Sequence, residues 1–250
     1  MAAKSLGARG AAVDALLLKL RARDSVSEKE ERALHEAVGE VREFGAGRTI
    51  VRSGTPMEES SLQLSGFSCR YKDLADGQRQ LMELHIPGDF VDLHSFLLKR
   101  LEHGVAALTP VVFAIFPHEG LKKITEDHPH LARLLWFSTL LDAAIHRETI
   151  LSVGRRTALA RIAHLLCELL VRLEVVQLAA DDRYQLPLTQ ADLADATGLT
   201  SVHVNRMLKM LRDDGLLTFR NGEVVVHDRA RLQQVAEFSP SYLFLDRQPR

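Results

Sequence analysis

At 250 residues, 46% hydrophobic and 26% charged, the chain has ordinary globular composition and enough material for one large or two small domains. Its formal net charge of −1 excludes a global basic excess, so any nucleic-acid affinity has to come from a local surface. No run is apolar enough to span a bilayer, and two cysteines, Cys69 and Cys167, cannot supply the four thiolates an iron–sulfur cluster usually takes.

The N-terminal stretch, residues 1–23, has a short apolar centre at Ala15–Leu18 but no signal-peptide hydrophobic region. It reads as a helical or frayed arm, and the protein as cytoplasmic, where a structural disulfide is not expected. Residues 24–39 read as an amphipathic helix, with Ser27 three residues before Glu30 in capping-box spacing. From Val41 to Pro117 short runs alternate with breakers at Ser53-Gly54, Gly66, Asp76-Gly77 and Pro87-Gly88-Asp89. Such strands at near-regular spacing suggest a sandwich or small barrel, and Asp76-Gly77 a hairpin. A short helix fits within Phe90–Leu101, and another over Glu119–Glu126.

Pro129 opens a long helix reaching about Val153. Leu134, Phe137, Leu141, Ala144, Glu148 and Leu151 fall at alternating three- and four-residue steps, the spacing of a coiled-coil seam. Leu131, Leu135, Trp136, Leu140 and Ile145 are apolar as well. A helix apolar on two faces must bury both. The second face is most simply covered by the same helix of another subunit, through Leu134, Phe137, Leu141, Ala144 and Leu151. An internal core helix is the alternative. Gly154-Arg155-Arg156 marks a domain boundary, Arg161–Leu173 resumes a helix, and Gln177–Gln185 reads as a polar loop.

Residues 188–211, LTQADLADATGLTSVHVNRMLKML, carry the sharpest signal. A small residue, Ala194, allows two helices to cross closely, and Gly198 permits the positive φ of a tight turn. Leu193, Leu199, Val204 and Met207 supply the apolar lock between them. Thr189 and Thr200 can cap the two helices. On the second helix Val204, Met207, Leu208 and Leu211 point inward, leaving Ser201, Val202, Asn205, Arg206 and Lys209 outward. Such a face can read base edges in the major groove. Arginine forks to guanine and asparagine pairs with adenine, which singles out Arg206 and Asn205. Downstream, Leu216–Phe219, Asn221-Gly222 and Val224–His227 read as the two strands and turn of a wing, with Arg220 near a phosphate. Residues 154–231 hold 11 Arg/Lys against 10 Asp/Glu, so affinity must rest on a few aimed groups plus dimerisation.

The order of glycine-punctuated strands, long helix and this motif resembles the CRP/FNR family of regulators over nearly the whole chain. The resemblance implies an α+β fold: an N-terminal double-stranded β-helix or jelly roll (β-roll) of the cyclic-nucleotide-binding type, a long dimerisation helix and a C-terminal winged helix-turn-helix. The implied domains are 1–23 arm, 24–127 roll, 128–153 dimerisation helix, 154–236 winged helix and 237–250 tail. It further implies a homodimer on a pseudo-palindromic site in double-stranded DNA, with RNA polymerase as a partner if the protein activates, and no membrane. Family members contact phosphates at positions matching Thr189, Gln190 and Thr200, to which the outward Lys209 and the wing Arg220 are added here. They read bases at positions matching Ser201, Val202, Asn205 and Arg206. Val202 stands where the family commonly has a reading glutamate, so the half-site is expected to differ.

The effector pocket departs further. Aligned through Pro87-Gly88-Asp89-Phe90, the pocket positions are Leu93, His94, Ser95 and His103. Neither the carboxylate that holds ribose nor the arginine that holds phosphate in cyclic-AMP binders is in place, which argues against cyclic AMP. His85, His94 and His103 match no ligand motif, which argues against haem or another metal, so no cofactor is expected and the effector is left unnamed. Two other readings compete. One is a dimeric small-molecule sensor acting through a protein partner, with degenerate DNA binding. The other, a cupin-like enzyme, lacks the His-x-His or carboxylate set it would need, so no enzymatic activity is expected.

Overall fold

The computed structural model describes residues 13–248. Within the arm, helix α1 (Asp14–Arg23) is formed; residues 1–12 lie outside the described residues. Helix α2 (Glu28–Ala37) starts at the capping box: Ser27 Oγ accepts from the Glu30 N–H, and the Glu30 carboxylate accepts from the Ser27 N–H. The strands that follow are β1 (Glu40–Phe44), β2 (Thr49–Val51), β3 (Glu59–Ser65), β4 (Ser68–Asp73) and β5 (Arg79–His85). After the short helix α3 (Ser95–Leu98) come β6 (Gly104–Ala107) and β7 (Val111–Pro117). They form two sheets, β1-β7-β3 and β2-β6-β4-β5. The β1–β7, β3–β7, β2–β6 and β4–β6 pairs are antiparallel. Strand β1 pairs with β7 from Glu40–Ile115 to Phe44–Val111.

Strand β7 shows why the run VVFAIF is apolar throughout. Val111, Phe113 and Ile115 enter one core with Val91, Leu101 and Val105. Ala114 and Phe116 point the other way, into a second core. A strand buried on both faces needs no polar alternation. That second core is covered by α1, α2, α4 (His118–Asp127) and the start of α5 (Pro129–Arg155), through Leu16, Leu20, Leu34, Leu121, Leu131 and Leu134. Phe113 and Phe116 are wholly buried, and cutting either to alanine should cost about 3–5 kcal/mol.

Contacts divide the chain into two compact units. One holds residues up to Tyr71, Leu84–Ala143 and the chain from Leu245 on; the other holds Lys72–Glu83 and Ala144–Phe244. Helix α5 runs unbroken past Ala143, and the helical break falls only after Arg155, near the boundary read from Gly154-Arg155-Arg156. Thr157 then caps α6 (Ala158–Val175), accepting from the Ala160 N–H.

The second unit contains α7 (Gln190–Thr197), α8 (Ser201–Asp213), α9 (Arg229–Ala236) and a four-stranded sheet. Strands β10 (Leu217–Arg220) and β11 (Glu223–Val226) are the wing hairpin. Its turn places Asn221 and Gly222 at φ 54° and 75°, the pair of positive angles a two-residue type I′ turn demands. The stretch read as a polar loop over 177–185 differs. It holds β8 (Ala179–Ala180) and β9 (Arg183–Gln185), and β9 pairs with β11. Strands this short show no alternation in sequence. The stretch read as a C-terminal tail also differs. Phe238 and Leu243 are buried, and the Tyr242 hydroxyl donates to Glu168 at 2.7 Å. Burial pushes the Glu168 carboxyl up, while the Arg172 guanidinium, donating to it at 3.0 Å, opposes that change.

Candidate nucleic-acid interface

Local sterics fix the α7–α8 pair. The Thr189 hydroxyl accepts from the Asp192 N–H and the Asp192 carboxylate accepts from the Thr189 N–H, a second capping box. Gly198 ends α7 at φ 64°, a left-handed conformation that costs other residues roughly 1–2 kcal/mol. Ala194 is buried at the crossing, and its carbonyl accepts from the Leu199 N–H at 3.0 Å. Thr200 caps α8, accepting from the His203 N–H. Two donors reach the carbonyls at the C-terminal end of α7: Gln80 Nε2 to Asp195 and Arg161 Nη1 to Thr197, each at 2.8 Å.

This frame sets the orientation of α8. Val204, Met207 and Leu211 are buried, whereas Ser201, Val202, Asn205, Arg206 and Lys209 are exposed. Thr189, Gln190, Thr200 and Arg220 are exposed as well. Arg206 and Lys209 form no ion pair among the described residues, so their charges are uncommitted. Two expected contacts carry internal bonds. The Thr189 hydroxyl also donates to the Asp192 carboxylate at 2.7 Å. Asn205 Nδ2 donates to Gln190 Oε1 at 3.3 Å, joining a residue read as a base contact to one read as a phosphate contact. The sequence reading missed His203, which is exposed with Nδ1 3.2 Å from Thr200 Oγ1. Its place three residues before Arg206, on the same helical face, was the available signal.

In the first unit, the positions aligned with an effector pocket, Leu93, His94, Ser95 and His103, carry neither a carboxylate nor a guanidinium. Leu93 is buried in the core that α1, α4 and α5 cover. Ser95 is buried with its hydroxyl 3.3 Å from His118 Nε2, and burial holds His118 below the usual imidazole range. His103 and His94 face each other with their Nε2 atoms 3.2 Å apart. Arg70, buried in the same unit, is committed to the Val91 carbonyl and to Asp142. Cys69 and Cys167 are both buried thiols. Among the described residues no group of three or more His, Cys, Asp or Glu converges as metal ligands would.

The α5 residues expected at a dimer interface divide by burial. Leu134 and Ala144 are already buried within the single chain, Phe137 and Leu141 are half-buried, and only Leu151 is exposed. The large exposed apolar side chains of α5 are Trp136, Leu140, Ile150 and Leu151. The physical reason is that the roll core claims the stripe through Leu131 and Leu134, which turns the neighbouring stripe outward. No described helix is long and apolar enough to cross a membrane.

Comparison with known proteins agrees with this architecture. Residues 41–128 match a family described as a cyclic nucleotide-binding domain, and residues 160–235 one described as a Crp-like helix-turn-helix domain. The chain is 32% identical over 215 residues to the transcriptional activator protein FnrL of Cereibacter sphaeroides, covering 84% of this chain and 85% of that protein. It is 27% identical over 201 residues to the nitrogen fixation regulation protein FixK of Bradyrhizobium diazoefficiens, covering 80% of this chain and 84% of that one. The structure of FixK2 from Bradyrhizobium japonicum superposes with a TM-score of 0.72 at 28% identity, over 80% of this chain and 98% of that one. With a nucleotide-binding-type roll, a Crp-like helix-turn-helix and these relatives, the chain belongs to the CRP/FNR family of DNA-binding transcription regulators.

Proposed function

We propose that the protein acts in the cytoplasm as a homodimer on a pseudo-palindromic DNA site, each subunit laying α8 in the major groove. The observation that carries this reading is the division of α8: Val204, Met207 and Leu211 are locked inward, while Ser201, Val202, Asn205 and Arg206 stand exposed on its first turns. Those four read base edges. Gln190, Thr189, Thr200, Lys209 and Arg220 hold the backbone, with the N–H groups at the helix starts available to phosphate oxygens. Dimerisation runs along the exposed side of α5. Cyclic AMP is not the effector, because Leu93 and His103 offer neither a carboxylate to ribose nor a guanidinium to phosphate. Relatives named as activators support RNA polymerase as a second partner.

Selection of bound DNA from a random library tests this directly. The expected product is a two-fold symmetric consensus with half-sites about one helical turn apart, centre to centre. Recovery of no enriched sequence by a dimeric preparation would favour a sensor that acts through a protein partner instead.

A further inference from the structure

The helix-turn-helix carries a bond that its steric frame does not require. Asn205 Nδ2, on the exposed face of α8, donates to Oε1 of Gln190, the first residue of α7, at 3.3 Å. Both side chains are exposed. We propose that Gln190 is a positioning residue for Asn205, and that the two amides together read one adenine in each half-site. This rests on the reading above that α8 enters the major groove.

An exposed asparagine can present its amide edge in either sense, because rotation about χ2 exchanges oxygen and nitrogen at little cost. With Gln190 Oε1 turned toward α8, as observed, Asn205 is held one way round: the oxygen accepts only, so it draws Nδ2 toward α7 and leaves Oδ1 pointing away. The amide nitrogen has two hydrogens. One bond to Gln190 therefore leaves a second N–H beside Oδ1, the donor–acceptor pair that matches N7 and the N6 amino group of adenine. Gln190 also keeps its own Nε2 donors, which can reach a phosphate oxygen. Base reading and backbone grip then share one side chain, and the register of α7 on the backbone fixes the orientation of the amide on α8.

Charge and hydrogen-bonding capacity separate the two jobs of Gln190. Gln190→Glu keeps an oxygen acceptor for Asn205 but repels phosphate. Gln190→Lys attracts phosphate but has no acceptor. The experiment measures binding of the full-length wild type, both variants, Gln190→Ala, Asn205→Ala and Arg206→Ala to the selected site and to all its single-base variants. Wild type should lose about 5- to 150-fold when the adenine of one half-site is replaced. Asn205→Ala should flatten that position alone. Gln190→Glu should bind every sequence more weakly yet keep the adenine preference, whereas Gln190→Lys should hold overall affinity and lose the preference, and Gln190→Ala should lose the preference and bind every sequence more weakly. Retention of the full preference in Gln190→Lys, or its loss in Gln190→Glu, overturns the proposal. A wild type without preference at any base would instead overturn the placement of α8. Flattening by Arg206→Ala but not by Asn205→Ala would leave that placement standing and remove the adenine assignment.

Discussion

Leu134 and Trp136 lie two residues apart on α5 and face opposite ways: Leu134 is 1% exposed and Trp136 64%. From Trp136 the outward side continues through Leu140, Ala143, Arg147 and Ile150, again at alternating four- and three-residue steps. Ile150 is 72% exposed. This stripe lies one residue earlier than the one the sequence suggests, and we propose it as the face that meets a second copy.

Leu140→Glu places a charge in that seam, and leaving it unpaired in a closed interface costs several kcal/mol. Sedimentation of the variant should show monomer, with the fold of each chain unchanged. Leu134→Ala should do the reverse, losing about 2–5 kcal/mol of stability while the dimer persists. A Leu140→Glu protein that stays dimeric would remove the seam from consideration.

Arg206 has an uncommitted guanidinium one turn past Val202 on the exposed face. Two parallel hydrogen bonds to one guanine are worth roughly 1–3 kcal/mol of discrimination. Arg206→Ala should therefore relax specificity at one base pair per half-site while non-specific affinity changes little. A uniform loss over all sequence variants would make Arg206 a backbone anchor instead.

Val202 is 78% exposed on the first turn of α8, an apolar group among polar neighbours. The apolar feature of the major groove is the thymine methyl. Replacing the contacted thymine by uracil in each half-site should weaken wild-type binding by about 0.8 kcal/mol per half-site, roughly fourfold. The Val202→Ala protein should respond less. Binding curves that do not change on any thymine-to-uracil exchange would exclude this contact.

The helix-turn-helix was legible in sequence because its constraints are local. A left-handed turn needs Gly198, close crossing needs Ala194, and Thr189 and Thr200 cap within their own first turns. The roll was legible through its glycine breakers, though β7, buried on both faces, lacks alternation. The inward side of α5 was not, because α5 offers two adjacent apolar stripes at the same spacing and only tertiary packing decides which turns inward. The Gln190–Asn205 bond was hidden for a related reason: it spans 15 residues and exists only once α7 and α8 cross at a fixed angle.

Asp92 links burial to pH. It is wholly buried, one carboxylate oxygen accepts from the Ser61 N–H, and the other has no hydrogen-bond partner among the described residues. Burial pushes its carboxyl up from 3.8 to about 7, against the opposing pull of Arg70. The folded state thus holds the proton more tightly than the unfolded chain. The corresponding stability is fully present below about pH 4 and is lost as pH rises through about 7. Asp92→Asn keeps an oxygen for the Ser61 N–H and removes the charge, while Arg70 retains its 2.9 Å pairing with Asp142. The variant should therefore be more stable than wild type at pH 8 by a few kcal/mol, since a tenfold difference in proton affinity between folded and unfolded chain is worth about 1.4 kcal/mol. The gain at pH 5 should be clearly smaller. Urea unfolding of both proteins at the two pH values checks this. An equal difference at pH 5 and pH 8 would mean that Asp92 does not titrate in this range, and a loss at pH 8 that its charge is held by Arg70 after all.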